Sequence, residues 1–247
     1  MNMAKNKYFI AIAFLTMASF ACTPSRTLNL ATYNVGAFHK SGFDSTDMIA
    51  DMMKEWNLDA IGLNELDSCN TRCGVDTFQL RNFAEAMGGW NYNFTGAIRY
   101  RGGSYGIGIA SPHTPVNVWS IKLPKSDDRE VRALSVMEFD DFVFCSTHLG
   151  LKDQAQLDQI AVINTFVKEH FYKCRKPVFL CGDMNSEPGM VAIETLGKDW
   201  EMLSPDEITF ETSNPCKCID YIFLYRRAGS CKVKASFSRP PTIFRSS

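Results

Sequence analysis

The chain has no surplus of positive charge. Over 247 residues, 26 Lys and Arg stand against 27 Asp and Glu, a formal charge of −1. A surface so balanced has no broad electrostatic hold on nucleic acid, which weakens a nonspecific nuclease reading. It does not remove that reading, because a bound metal supplies positive charge locally. Internal repeats, low-complexity tracts and linkers are also missing between residues 27 and 236, so one domain is expected. Zinc-type cysteine spacing is absent as well: C-x3-C and C-x-C fit zinc knuckles poorly. Histidine is scarce, with 4 in the whole chain.

The apolar run from Tyr8 to Phe20 is too short to span a bilayer as a stable helix. Lys5 and Lys7 precede it, and Ala21 and Cys22 follow, which is the pattern of an export signal over residues 1–22. The ending Ser19-Phe20-Ala21-Cys22 resembles a bacterial lipoprotein signal with Cys22 as the lipidated residue, although Ser19 stands where Leu is usual. Plain secretory cleavage is the alternative. The protein is thus expected outside the cytoplasm, either held to a membrane through lipid on Cys22 or secreted in soluble form. Removing Lys5 and Lys7, and no acid, takes the formal charge from −1 to −3. An oxidising compartment suits the cysteine content. Cys145 and Cys181 lie in apolar strand patterns and read as buried thiols. Cys69, Cys73, Cys174, Cys216, Cys218 and Cys231 lie in loops or at element ends, where disulfides are expected.

Strand-like runs recur along residues 23–247: Leu28 to Asn34, Ala60 to Leu66, Trp90 to Ile98, Tyr105 to Ala110, Val116 to Leu123, Val131 to Phe139, Phe142 to Leu149, Pro177 to Cys181, Ile208 to Thr212 and Ile219 to Leu224. Helical spacing fills few gaps: Ser45 to Trp56, Phe78 to Met87, and Lys152 to Tyr172 with Leu157, Ile160, Ile163, Phe166 and Val167 as its apolar stripe. Many strands and few helices make an α+β protein. Two sheets packed face to face, with helices outside, would bury every stripe.

Polar residues recur at the ends of these strands. Asn34 ends Thr32-Tyr33-Asn34, Glu65 ends Leu63-Asn64-Glu65, and His148 ends Ser146-Thr147-His148. Asp183 and Asn185 follow Cys181-Gly182, and Asp220 opens Asp220-Tyr221-Ile222. Any one is a turn residue by default. Five apolar strands that each carry one form a constellation, and its chemistry suits hydrolysis of a phosphate ester. Glu65, with Asn34, offers oxygen to magnesium or manganese. On an extended backbone Asp183 and Asn185 point to the same side, so Asp183 can orient or deprotonate water while Asn185 and His148 donate to phosphate oxygens.

Taken in order, the segments T-Y-N-V, L-N-E-L, S-T-H-L, C-G-D-M-N and I-D-Y-I resemble the endonuclease/exonuclease/phosphatase superfamily, which shares the deoxyribonuclease I fold. The resemblance runs from Leu28 to Ala235. It implies a four-layered α/β/β/α sandwich, Glu65 on the divalent metal, and a phosphate site lined by Asn34, His148, Asp183 and Asn185, with Asp220 in the last motif. Tyr105 to Ser111 resembles the family's Y-G-N-A-I-L-S strand, and Glu130 to Leu134 its E-x-R-A-L strand. On that basis Tyr105 and Arg132 are expected near substrate, with Arg99 and Arg72 as weaker candidates.

The family normally closes with S-D-H-x-P, whose His pairs with the Asp of I-D-Y-I. Here that segment reads Ser236-Phe237-Ser238-Arg239-Pro240, with Phe237 and Ser238 in place of Asp and His. A shifted reading frame, a non-catalytic protein that binds a phosphorylated ligand, and a weak enzyme all remain open. The favoured reading is a divalent-metal-dependent phosphoesterase acting on a small phosphodiester or phospholipid head group. An extracellular nuclease is the alternative enzyme. No feature calls for a protein partner.

Overall fold

The computed structural model describes residues 27–39, 42–204, 209 and 217–226. Residues 1–22 with Cys22, most of the expected Ile208 to Thr212 strand, Cys216, Cys231, Phe237 and Ser238 lie outside the described residues.

Among the described residues ten strands are formed: β1 Leu30–Asn34, β2 Ala60–Ser68, β3 Asn91–Tyr100, β4 Gly103–Ser111, β5 Asn117–Leu123, β6 Arg132–Glu138, β7 Val143–His148, β8 Val178–Asp183, β9 Trp200–Met202 and β10 Asp220–Tyr225. Four α-helices join them, α1 Thr46–Lys54, α2 Gln79–Ala86, α3 Asp153–Phe171 and α4 Val191–Asp199. The expected strands and helices that fall on described residues match within a few residues. Two elements are not expected from the sequence: α4, whose start follows a Pro-Gly pair that reads as loop, and the three-residue β9.

The strands make a sheet of order β1-β2-β4-β3 and another of order β5-β6-β7-β8-β10-β9. Three apolar layers hold the sandwich. On the outside of the first sheet, Ile61, Leu63 and Leu66 of β2 pack against Ile49 and Met53 of α1 and Leu80 and Phe83 of α2. On the outside of the second, Val136, Cys145, Leu180 and Phe223 pack against Ile160, Ile163 and Val167 of α3 and Leu196 of α4. Between the sheets lie Ala60, Ile109, Met137, Phe144, Phe179, Cys181 and Leu224. The central strands β2, β6, β7 and β8 alternate their side chains between two apolar layers, which is why they read as near-continuous apolar runs. The result is the four-layered α/β/β/α sandwich expected of a deoxyribonuclease I-like chain.

Each sheet contains one parallel pair, β1 with β2 and β7 with β8; the other pairings are antiparallel. The carboxyl ends of both parallel pairs fall at the same rim of the sandwich. Because β10 runs antiparallel to β8, its first residue arrives where β8 ends. Asn34, His148 and Asp183 therefore lie at strand ends and Asp220 opens its strand, whereas Glu65, expected to end its strand, lies inside β2, which pairs on to Ser68.

Cys145 and Cys181 are buried free thiols, and burial pushes the Cys181 thiol up to about 12. Cys69, Cys73 and Cys174 are free thiols too, so the disulfides expected of these three are not formed among the described residues. Cys69 and Cys73 sit in the loop after β2, and Cys174 and Cys218 belong to the outer layer of the second sheet.

The two sheets approach closely at Gly62. A Cβ there would lie 2.5 Å from Cys181 Sγ and 2.8 Å from Ser146 Oγ, so only glycine fits without displacing the opposite sheet. Gly62→Val should therefore destabilise the fold by about 1–3 kcal/mol, the usual cost of overpacking a filled core. A lowered urea midpoint would show this, and an unchanged midpoint would contradict the close approach.

Candidate active site

The shared rim is assembled by register. β7 and β8 pair His148 with Asp183, and β8 and β10 pair Asp183 with Asp220, so the three side chains occupy one row across three strands of the second sheet. The first sheet contributes Asn34 from the end of β1 and Glu65 from β2. Between Leu63↔Gly108 and Leu66↔Gly106 the β2 strand carries one extra residue, a bulge, and Glu65 within it has φ +61°. A bulge re-aims a side chain and often sits beside an active site. Here it turns Glu65 toward Asn34 and keeps Leu66 on the outer apolar face.

Asn34 joins the two sheets' carboxylates. Its Nδ2 donates to Glu65 Oε1 at 2.9 Å and to Asp183 Oδ2 at 3.1 Å, while its Oδ1 accepts from the Gly36 N–H. The expectation that Asn34 offers oxygen to a metal thus meets a different geometry: its oxygen is engaged, and its nitrogen holds both carboxylates. His148 lies beside Asp183, with Nε2 3.8 Å from Oδ2, longer than a hydrogen bond. Both side chains are more than nine-tenths buried.

Asp183 and Asn185 do not leave an extended strand together. The strand ends at Asp183, and Asn185 has φ +47°. A turn joins them instead, in which the Asn185 N–H donates to Asp183 Oδ1 at 2.9 Å. The Asn185 side-chain amide donates to the Leu149 carbonyl, which commits one of its two N–H donors. Gly182 allows this path: at φ +137° its backbone runs so close to Thr147 that a Cβ would lie 1.8 Å from the carbonyl oxygen. Asp220 faces Tyr33, whose phenol is pushed up by burial and by the Asp220 carboxylate.

Tyr105 and Arg132 approach the Glu65 side of this row. Burial, then the Glu65 carboxylate, pushes the Tyr105 phenol up, while Arg132 and Arg72 oppose that shift. Arg99 is exposed and alternates with Ile98 and Tyr100, so it projects from the opposite face of β3 and does not join the cluster.

Sequence reasoning misses the residues that position this site. Asn64 is fully buried and reaches across the sheet–sheet interface: its Nδ2 donates to the Thr147 carbonyl at 2.9 Å, and its Oδ1 accepts from the Asp183 N–H at 3.1 Å. Gln156 on α3 is also buried and donates toward the carbonyls of Gly150, Met184 and Asn185, which holds the Asp183–Asn185 turn from behind. A polar residue on an otherwise apolar face is the only signal, and it does not say what the residue holds.

The donor set suits a hard divalent cation. Oxygen ligands are offered by Glu65 and Asp183, with no thiol among them. Among the described residues no three His, Cys, Asp or Glu side chains group tightly enough to enclose a metal. Magnesium is typically held by one or two carboxylates and keeps several waters, so a single Glu65 carboxylate beside Asp183 is a fitting anchor.

Comparisons with known proteins bear on the family and the fold. The model of the endonuclease/exonuclease/phosphatase family matches residues 31–240. No curated protein matches the sequence. Among solved structures, a mannosyl-6-phosphatase of Bacteroides thetaiotaomicron aligns with TM-score 0.63 at 18% identity, covering 81% of this chain and 85% of that one. The 2′,3′-cyclic phosphatase ANGEL2 aligns with TM-score 0.62 at 14% identity, over 81% and 82%. The human nocturnin catalytic domain, solved with a bound sulfate, aligns with TM-score 0.58 at 18% identity, over 78% and 80%. At these identities the likeness is one of fold.

Asn64→Leu should remove both cross-sheet bonds while filling similar space. It leaves a buried carbonyl and a buried N–H without partners, a loss of about 2–6 kcal/mol at about 1–3 kcal/mol for each group. Urea unfolding measures it, and a loss below about 0.5 kcal/mol would show that the staple carries little.

Proposed function

Because the chain belongs to the endonuclease/exonuclease/phosphatase family, we propose that it is a divalent-metal-dependent phosphoesterase acting outside the cytoplasm on a small phosphate ester. The observation that carries the reading is the joining of Glu65 and Asp183, from two different sheets, through the single amide of Asn34, next to His148.

In this reading Glu65 holds the cation, which when bound neutralises charge on the phosphate oxygens and on the leaving group. Asp183 orients and deprotonates the attacking water. Its carboxylate is fixed by Asn34 on one oxygen and by the Asn185 N–H on the other, so little reorganisation is needed when substrate arrives. His148 and the uncommitted N–H of Asn185 donate to the phosphate oxygens, where positioned donors supply most of the rate. Asp220 adds a second carboxylate beside Asp183. Tyr105 and Arg132 face the substrate side of Glu65.

A small ester is favoured over polymeric DNA because the chain is slightly acidic. Fold neighbours described as acting on mannosyl phosphate and 2′,3′-cyclic phosphate lend support to that substrate size. The phospholipid head group remains a member of the same class. Export through residues 1–22, with lipid on Cys22, completes the proposal, and Cys22→Ser should move the protein from the membrane fraction to the soluble one. Retention of the variant in the membrane fraction would contradict the anchor.

Purified protein with magnesium or manganese should cleave a generic nitrophenyl phosphodiester or monoester. Glu65→Ala and Asp183→Ala should each lower kcat/KM by about 10²–10⁴, the range for a positioned acid–base group. Activity that survives both changes would remove these residues from the reaction. Phe237 and Ser238, which replace the family's Asp and His, favour a second reading in which the protein binds a phosphorylated ligand without turnover. Phe237→Asp with Ser238→His should raise the rate at least about tenfold if only that pair is lacking. No gain in a folded variant would favour the binding reading.

A further inference from the structure

Next to the row of strand-end residues, the loop after β2 holds a guanidinium with unusual firmness. Asp67 is completely buried, two residues beyond Glu65 and directly across from Tyr105 of β4. A buried carboxylate needs a partner, and Arg72 supplies a fork: Nε donates to Oδ2 at 2.6 Å and Nη2 to Oδ1 at 2.8 Å. The guanidinium lies 4.7 Å from the centre of the Tyr100 ring and 5.3 Å from that of Tyr105. The loop that carries it is fixed too. Asn70 is fully buried, accepts from the backbone N–H groups of Arg72 and Cys73, and donates to the Ser104 carbonyl; the Thr71 N–H donates to the Arg101 carbonyl.

A fork of this kind spends one edge of the guanidinium. The other edge, carrying Nη1, makes no hydrogen bond among the described residues, and the Arg72 side chain keeps 35% exposure. That alone would suit a loop anchor. Arg132 on β6 changes the balance. It is 7% exposed, its buried Nε has no hydrogen-bond partner among the described residues, and its ion pair there is a long one, 3.6 Å from Nη1 to Glu130. Buried guanidinium N–H groups without acceptors are costly and uncommon, and they concentrate where a ligand completes the bonding. The Tyr105 hydroxyl likewise makes no hydrogen bond among the described residues, and its phenol feels Glu65, Arg132 and Arg72 together.

We propose that Arg72, Arg132 and the Tyr105 hydroxyl form a second anion subsite, beside Glu65, that binds another phosphate or carboxylate of the ester hydrolysed at Asp183. The proposal rests on the phosphoesterase reading above and adds the substrate class: a small ester carrying two anionic groups. Donor chemistry selects it. A neutral sugar would need acceptors as well as donors, and these three groups are donors first, two of them cationic. Asp67 balances the charge of Arg72, so what Arg72 offers is the directed N–H donors of its outer edge, while Glu130 reaches Arg132 only at long range.

The test compares glucose 6-phosphate with glucose 1,6-bisphosphate, at fixed free magnesium, on the full exported chain. The bisphosphate should have at least a tenfold higher kcat/KM, and Arg72→Gln should bring the ratio to within about twofold of one. Tyr105→Phe, which keeps the ring and the fold, should lower the ratio at least threefold. A wild-type ratio near one, or a ratio unmoved by both variants, would overturn the subsite. If neither ester is hydrolysed, the nitrophenyl ester assay decides the phosphoesterase reading, and calorimetric binding decides the subsite separately. A Kd at least tenfold lower for the bisphosphate, lost in Arg72→Gln, supports it; equal Kd values overturn it.

Discussion

One buried amide ties this molecule together. Asn64 spans the gap between the two sheets, donating to the strand that ends in His148 and accepting from the backbone of Asp183. The next residue in the chain is Glu65. A single side chain thus fixes the first sheet's carboxylate relative to the second sheet's catalytic candidates. It can do so only because Gly62, two residues earlier, lets the sheets approach. Both ends of Asn64 are satisfied, so a polar group that would be costly in an apolar interface becomes a specific one.

Around that staple the two sheets play different roles. The second sheet supplies a row by register alone, His148, Asp183 and Asp220 on adjacent strands. The first sheet supplies its carboxylate through an irregularity, the bulge at Glu65. Asn34 then closes the circuit by donating to both carboxylates. Regular strands give a rigid base, and the bulge and the Gly182–Asn185 turn point individual groups away from the regular pattern. The combination places three acids, a histidine and several N–H donors at one rim, which is what a phosphate ester and its attacking water require.

Much of this is legible in the amino-acid order itself. Apolar strands and helical stripes define the four layers, and each strand's terminal polar residue is visible as an interruption of an apolar run. The bond-making details are not. Asp183 and Asn185 look like neighbours on one side of a strand, yet a left-handed residue and an Asx-type turn bring them together. Asn34 reads as an oxygen donor, while its oxygen serves Gly36 and its nitrogen serves the carboxylates. Arg99 and Tyr105 look alike as candidates, but strand alternation turns Arg99 away. Loop cysteines suggest bridges, yet Cys69, Cys73 and Cys174 are free thiols. Each miss depends on long-range register or a local turn, neither of which residue types and spacing encode.

The proposed function centres on the Glu65–Asn34–Asp183 junction as its metal and phosphate site. A crystal of the protein soaked with manganese and vanadate tests it most directly. The expected result is anomalous density for manganese bound to the Glu65 carboxylate, with vanadate oxygens facing His148 and Asn185. Manganese bound elsewhere with this rim empty would contradict it.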